Sequence, residues 1–173
     1  IIKCGIEGEA SSPNPLTDPE ELEAIRGLTS AAKSISDERK ALEDYISHTM
    51  KKTAPNLTSL LGAVLGARLI ARAGSLEKLA RMPASSIQVM GAGEALFGHL
   101  RSGTPPPKHG LIYRHPLING APKKARGKIA RMLAGKAAIA ARVDYYSGER
   151  KDFGDLKAKA SAIKGRSRGG KKR

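Results

Sequence analysis

The sequence predicts an all-α protein, and three observations carry that prediction. Aromatic residues are sparse, with four Tyr, two Phe and no Trp among 173 residues. A core must then be built from Leu, Ile, Val and much Ala, which suits closely packed helices better than a sheet sandwich. Second, Ile25, Leu28, Ala32, Ile35, Arg39, Leu42 and Ile46 recur at alternating steps of three and four, the spacing of a helix face. Third, residues 121–144 (APKKARGKIARMLAGKAAIAARVD) gather Ile129, Met132, Leu133, Ile139, Ala140 and Val143 on one side of a helix. On another side Lys124, Lys128, Arg131 and Arg142 project within roughly 60° of one another at ~100° per residue.

Taken in order, residues 1–17 are rich in Gly, Ser and Pro and read as an irregular, mobile lead-in. The chain opens Ile1-Ile2-Lys3 without a methionine or a signal-peptide pattern, as expected of a piece of a longer protein. Thr17 or Asp18 can cap a helix whose first turn holds Pro19, Glu20 and Glu21, acids suited to the positive end of a helix dipole. A coiled-coil-type arm is expected over 18–52. Its seam lasts only about three heptads and includes Ala32 and Arg39, while Gly27 weakens its start, so half of a helical hairpin is the better description.

Pro55 ends the arm. Leu57–Ala73 (LTSLLGAVLGARLIARA) reads as one helix, apolar nearly all round before Arg68 and closed by Gly74. In it Gly62 and Gly66 would let another helix approach. Ser75 caps a short helix stopped by Pro83, and Ser85 with Gln88 forms a capping box for the next. Gly91-Ala92-Gly93-Glu94 is a turn before a helix over ALFGHLR. Three prolines force residues 102–108 into an extended loop. Residues 110–113 should thread the core, and Arg114-His115-Pro116 should lead into the basic helix, with Pro122 in its first turn. Gly127 and Gly135 cost a helix interior about 1 kcal/mol each, which points to close approach of another backbone. Lys136 falls within the apolar stripe, so its ammonium either runs out to water or pairs with Glu77 or Glu94. After Ser147 only Phe153, Leu156, Ala160 and Ile163 keep a faint helical period. The last ten residues hold six cations and three glycines, so 148–173 is expected to be a basic, largely disordered tail.

Charge narrows the function. Residues 1–75 hold nine Lys or Arg against ten Asp or Glu, residues 76–173 hold twenty-two against six, and between Ala95 and Val143 ten basic residues meet no acidic one. Such one-sidedness implies a polyanion, and without an amphipathic anchor nucleic acid is favoured over lipid. The longest apolar run is broken by Gly62, Gly66, Arg68 and Arg72, so no membrane span is expected. Cys4 is the single cysteine, which excludes disulfide and cysteine-rich zinc frameworks and fits a reducing, intracellular setting. The four histidines match no ligand spacing, and phosphate-binding glycine loops, dinucleotide fingerprints and nucleophile–base pairs are missing. Neither a cofactor, a metal nor catalysis is expected. Around Lys108–His115, flat side chains can hold unpaired RNA bases; Tyr113 is assigned to the core and Arg114 to RNA.

The blocks IQVMGAGEALFGHL (87–100), KHGLIYRHPLI (108–118) and RGKIARMLAGKAAIAARVD (126–144) closely resemble the Nop domain, and the likeness runs from about Thr53 to Tyr146. It is nearest to the archaeal scaffold of box C/D ribonucleoproteins. The resemblance implies an all-helical fold, a partial coiled-coil arm followed by a compact helical Nop domain over 53–147. It also implies a scaffold that binds box C/D guide RNA at a kink-turn together with the ribosomal-protein-like factor that folds that RNA, within machinery for guide-directed 2′-O-methylation. Fibrillarin would join only through an N-terminal domain not recognisable here, and self-association would run through the coiled coil. The cell compartment implied is the archaeal cytoplasm, or the nucleolus in a eukaryote. On this basis Lys108, Arg114, Lys123, Lys124, Arg126, Lys128, Arg131 and Arg142 are assigned to RNA, and Ile87, Met90, Gly91, Ala92, Gly93, Glu94 and Phe97 to the protein partner. Two positions depart from the family: Gly93-Glu94 replaces the usual Glu-Lys, and Arg114 stands where nucleolar and spliceosomal relatives usually have His. Two alternatives are a spliceosomal-type Nop scaffold and a helical protein adaptor that does not bind RNA.

Overall fold

A computed structural model describes residues 19–169, which contain nine α-helices and no strand. The expectations for residues 1–18 and 170–173 lie outside the described residues. Helix α1 spans Pro19–Thr53 with Glu20 and Glu21 in its first turn. The chain divides into two compact units, Ile1–Leu42 and Glu43–Arg173. In the first, the seam residues Ile25, Leu28 and Ile35 are exposed, as is Leu42.

Helix α2 (Pro55–Leu61) starts with Pro55 at a position where no helical hydrogen bond is lost. The single long helix expected next is instead two. Gly62 sits at φ +82° between α2 and α3 (Ala63–Ala73), a conformation that ends one helix and redirects the next. Gly74 closes α3 in the left-handed region, and Ser75 Oγ accepts the Lys78 N–H to cap α4 (Leu76–Arg81). Helix α5 (Ala84–Val89) begins after Pro83 without a side-chain cap, so the Ser85–Gln88 box does not form; Gln88 Nε2 donates to the Lys108 carbonyl at 2.8 Å. Gly91, at φ +83°, turns the chain toward α6 (Gly93–Ser102). After the proline loop, a 3₁₀ turn (Leu111–Arg114) places Ile112 fully in the core, and α7 (Pro116–Asn119) follows.

Helix α8 (Lys123–Tyr146) is the axis of the second unit and packs against α2, α4, α5 and α7. Pro122 is its N-cap, one residue earlier than expected. The buried face is mostly alanine: Ala125, Ala130, Ala134, Ala137, Ala138, Ala140 and Ala141, with Ile129 and Leu133. Small side chains let several neighbours approach one helix, which explains the alanine-heavy composition. Ile139, expected in the stripe, is 43 % exposed. Gly135 has open space beside it, and Gly127 faces the side chain of Lys108, so neither serves a backbone approach.

The segment after α8 is ordered beyond expectation. Phe153 is buried, and α9 (Leu156–Gly169) packs on α8 with Ala160 buried and Leu156 and Ile163 partly so. The faint period after Ser147 is therefore a genuine apolar face, and within the segment expected to be a basic, largely disordered tail over 148–173, Leu156–Gly169 is helical. Lys136 pairs with neither Glu77 nor Glu94. Its ammonium lies 3.1 Å from Asp155 and 5.6 Å from the Phe153 ring centroid, while Glu77 pairs with Arg81 at 2.6 Å. Lys159 joins the same Asp155, and these two partners hold the Asp155 carboxyl below its ordinary value.

Among the described residues, the one buried polar side chain is that of Asn56. Its Nδ2 donates to Asp144 Oδ1 and to the Glu149 carbonyl, both at 2.7 Å, and its Oδ1 accepts the Lys151 N–H at 2.6 Å. Asp144 also accepts the backbone N–H groups of Asn56 and Leu57 at 3.0 and 2.8 Å. The start of α2, the end of α8 and the following strap are thus joined at one point.

Candidate nucleic-acid interface

The first half of α8 lines a cleft of about 470 Å³ whose other wall is the proline loop. Lys124, Lys128 and Arg131 face it with Lys108 and Pro105, Pro106 and Pro107, and among the described residues no carboxylate lines it. Helical geometry explains the row, since positions four and three apart share a face. Lys108 comes from the loop: its Cβ–Cδ stem lies 3.5–3.7 Å from where a Gly127 side chain would begin, an ordinary contact distance, so the stem runs close along α8 there. Gln88, holding the Lys108 carbonyl, fixes the loop against α5. All four cations are exposed, and among the described residues none is held by a carboxylate. Lys123, in the first turn of α8, is exposed as well.

Two assigned cations turn away. Arg126 Nε donates to the Ala121 carbonyl at 2.8 Å, Nη2 reaches the Asn119 carbonyl at 3.4 Å, and the guanidinium lies 5.4 Å from the Tyr113 ring centroid. It braces the entrance to α8 and is not part of the row. Arg142 Nε donates to the Ala80 carbonyl at 3.1 Å. It lies on the correct face, but α4 approaches there, and at ~1.5 Å per residue it is roughly 17 Å along the axis from Arg131.

Arg114 is exposed at the end of the 3₁₀ turn. Tyr113 is partly buried, stacked on His109 at 4.6 Å between ring centroids and covered by Arg126. Burial, then Arg126 and Lys108, push the His109 pKa down. His115 Nδ1 accepts the Leu117 N–H at 3.2 Å and caps α7, and burial lowers its pKa too. His99 Nδ1 contacts the Thr104 carbonyl beyond α6. Three histidines thus have local structural partners.

The assigned protein-partner residues divide. Ile87 is fully buried and cannot meet a partner; its place on α5, against α8, puts it in the core. Met90 is partly buried against that core. Gly91 is held by conformation, since a side chain there would begin 2.6 Å from Leu111 Cγ. Ala92 and Gly93 are partly covered, and Glu94 and Phe97 are exposed. None of the ten residues of α6 is buried. Phe97 at 67 % and Leu100 at 71 % exposure form an apolar surface with Leu96. Sequence reasoning missed Leu96, Leu100 and the contribution of the prolines to the cleft. A helix whose apolar residues stay exposed is not distinguishable by period from one whose apolar residues are buried.

Comparison with known proteins agrees with this architecture. Residues 4–163 match the Nop family model, described as "snoRNA binding domain, fibrillarin". An uncharacterised NOP5 family protein of Methanocaldococcus jannaschii is 57% identical over 125 residues, covering 72% of this chain and 30% of that protein. Nucleolar protein 58 of Scheffersomyces stipitis is 46% identical over 154 residues, 84% of this chain and 30% of that one. A chain of a solved fibrillarin/Nop5p complex superposes with a TM-score of 0.64 at 37% identity, covering 83% of this chain and 59% of that chain. The chain thus spans about 30% of the length of these curated relatives.

Proposed function

The chain belongs to the Nop family, and we propose that it is the RNA-binding scaffold module of a box C/D ribonucleoprotein. In this reading it recognises kink-turn RNA already folded by its small kink-turn-binding protein, and it serves guide-directed 2′-O-methylation as a scaffold and not as the catalyst. The observation that carries the reading is the cleft of Lys108, Lys124, Lys128 and Arg131 with no carboxylate among its described lining residues.

Phosphates of a stem flanking the kink-turn would run along these cations, giving affinity and register without choice of sequence. Arg114, exposed beyond the 3₁₀ turn, offers a guanidinium plane to an unpaired base. The exposed Leu96, Phe97 and Leu100 of α6 are the surface for the protein partner, with Glu94 beside them. RNA would meet the cations of α8 and the protein partner the face of α6, so the two partners together should bind far better than either. Fibrillarin would be recruited through another part of a longer protein.

A gel-shift series tests this with kink-turn RNA, free or already bound by its kink-turn factor, at two salt concentrations. Tight, salt-sensitive binding is expected only for the preassembled RNA. Equal affinities would remove the composite surface, and a wild-type response with Lys124→Ala/Lys128→Ala would remove the cation row.

A further inference from the structure

Helix α8 ends in Tyr145 and Tyr146, which are 42 % and 65 % exposed in a chain that has only four Tyr and two Phe. Their rings meet edge to face, with 4.9 Å between centroids and 81° between planes. Such a pair presents flat apolar surface to water, and neither ring is used by the core. Two arginines frame it. The Arg81 guanidinium, at the end of α4, reaches the Tyr146 hydroxyl and pairs with Glu77 at 2.6 Å. Arg142 is exposed about one turn before Tyr146. Its Nε is spent on the Ala80 carbonyl, but among the described residues no carboxylate pairs with it, so it keeps the surroundings of the rings positive.

The rings lie on the same side of α8 as the cation row. Tyr146 follows Lys128 by eighteen residues, and Arg142 follows Lys124 by the same step. At ~3.6 residues per turn that is about five whole turns, so each points in the direction of its counterpart, ~27 Å along the axis. Tyr145 points within roughly 60° of Arg142. Between the two ends this side carries Gly135, with open space beside it, and the exposed Ile139. No acidic residue occurs from Ala95 to Val143, and Asp144 is turned to the far side of α8, where it holds the backbone of α2. An elongated polyanion seated on Lys124, Lys128 and Arg131 therefore finds two open rings further along the same side. Cations that follow a backbone, combined with rings on which bases stack, are how proteins hold single-stranded nucleic acid. A phenol face suits a base and not a phosphate, and Glu77 beside Arg81 repels a phosphate there. Arg142 stands between Ile139 and the rings, so this side lacks the continuous apolar stripe that a partner helix would bury.

We propose that Tyr145 and Tyr146 form a stacking site for an unpaired base of the RNA whose phosphates lie on the row. The inference rests on the RNA-scaffold reading above and adds to it a contact of different chemistry. With one phosphate per ~3.4 Å along a strand, ~27 Å is about eight nucleotides. A single-stranded stretch of that length, continuing past the stem on the row, brings a base to the rings.

The test measures binding of kink-turn RNA already held by its kink-turn factor. The RNA carries a single-stranded extension of about ten nucleotides at its 5′ or its 3′ end, the same extension made abasic, or none. One of the extended RNAs should bind the wild-type chain more tightly than the unextended RNA by roughly five- to a hundredfold, the worth of one stacked base. Tyr145→Ala/Tyr146→Ala should abolish that gain, as should the abasic extension, while Tyr145→Phe/Tyr146→Phe keeps the rings and should retain it. Both tyrosines are exposed, so the melting curves of the variants should stay close to wild type. No gain from either extension, or a gain that survives the alanine pair, overturns the site; if Lys124→Ala/Lys128→Ala still weakens binding of the unextended RNA, the main reading stands. If that lysine variant also binds like wild type, both fail. A gain kept by the abasic extension means that the added contact is to phosphate alone. An equal loss in the alanine pair with and without the extension assigns the rings to the fold or to the protein partner. Either result overturns the proposal.

Discussion

Replacing Asn56 by alanine should remove the joint that holds α2, α8 and the strap together. The side chain is 2 % exposed and makes three hydrogen bonds, one of them to the Asp144 carboxylate. A neutral bond contributes about 1 kcal/mol net and one to a charged group about 1.5–3 kcal/mol, so the sum is roughly 4 kcal/mol. Water can reach the Lys151 N–H once the side chain is gone, because that residue is exposed, which brings the expected loss to about 3 kcal/mol. For a unit of this size that lowers Tm by about 10 °C. Asp144 keeps its bonds to the Asn56 and Leu57 backbone, so the helices should stay formed while the strap loosens. Urea unfolding followed by circular dichroism gives the energy, and limited proteolysis within 147–153 reports the strap. A loss below about 1 kcal/mol, with the strap still protected, would refute the view that this network carries the joint.

Gly91→Ala should destabilise by about 2–3 kcal/mol, from the left-handed backbone and the collision with Leu111. Its melting curve checks this, and a shift near zero would show that the turn can relax. Lys136→Met should change stability by less than about 1 kcal/mol, because the pair with Asp155 is only partly buried and the new side chain can pack on Phe153. Hydrogen exchange in α9 is the more sensitive readout, and a large drop in protection would mean that the pair itself holds α9. Stability should also depend on pH through His115 and His109. Burial lowers both below their ordinary 6.5, so the unfolded chain takes up protons first. Their contribution is complete above pH 6.5 and is lost as pH falls through the folded values. Denaturation between about pH 7.5 and about pH 5 should show this decline, and His115→Asn should flatten it; a flat wild-type profile would contradict the assignment.

Local chemistry made much of the fold legible in advance. Gly74 and Ser75 act where their residue types predict, because a left-handed cap and an N-cap depend on a few neighbouring backbone groups. The row Lys124, Lys128 and Arg131 is readable for the same reason, as a face follows from spacing alone. Ser85 and Gln88 fit a capping pattern equally well, yet Gln88 is drawn to a loop twenty residues away. Gly62 has the look of a packing residue and is instead a break.

What the sequence by itself determined is therefore the helical class, the uneven charge, the basic face of α8 and its likeness to the Nop family. Which side chains on that face remain available was decided only by the tertiary structure. Arg142 has the charge and spacing of a ligand for RNA, but the Ala80 carbonyl brought up by α4 accepts from it; Arg126 has the charge but points to the other side of α8, where it holds the Ala121 carbonyl. Ile87 has the position of a contact residue, but α8 covers it. Lys136 finds Asp155 only once the strap folds back. Periodicity specifies the direction in which a side chain points; what waits there depends on parts of the chain that are distant in sequence.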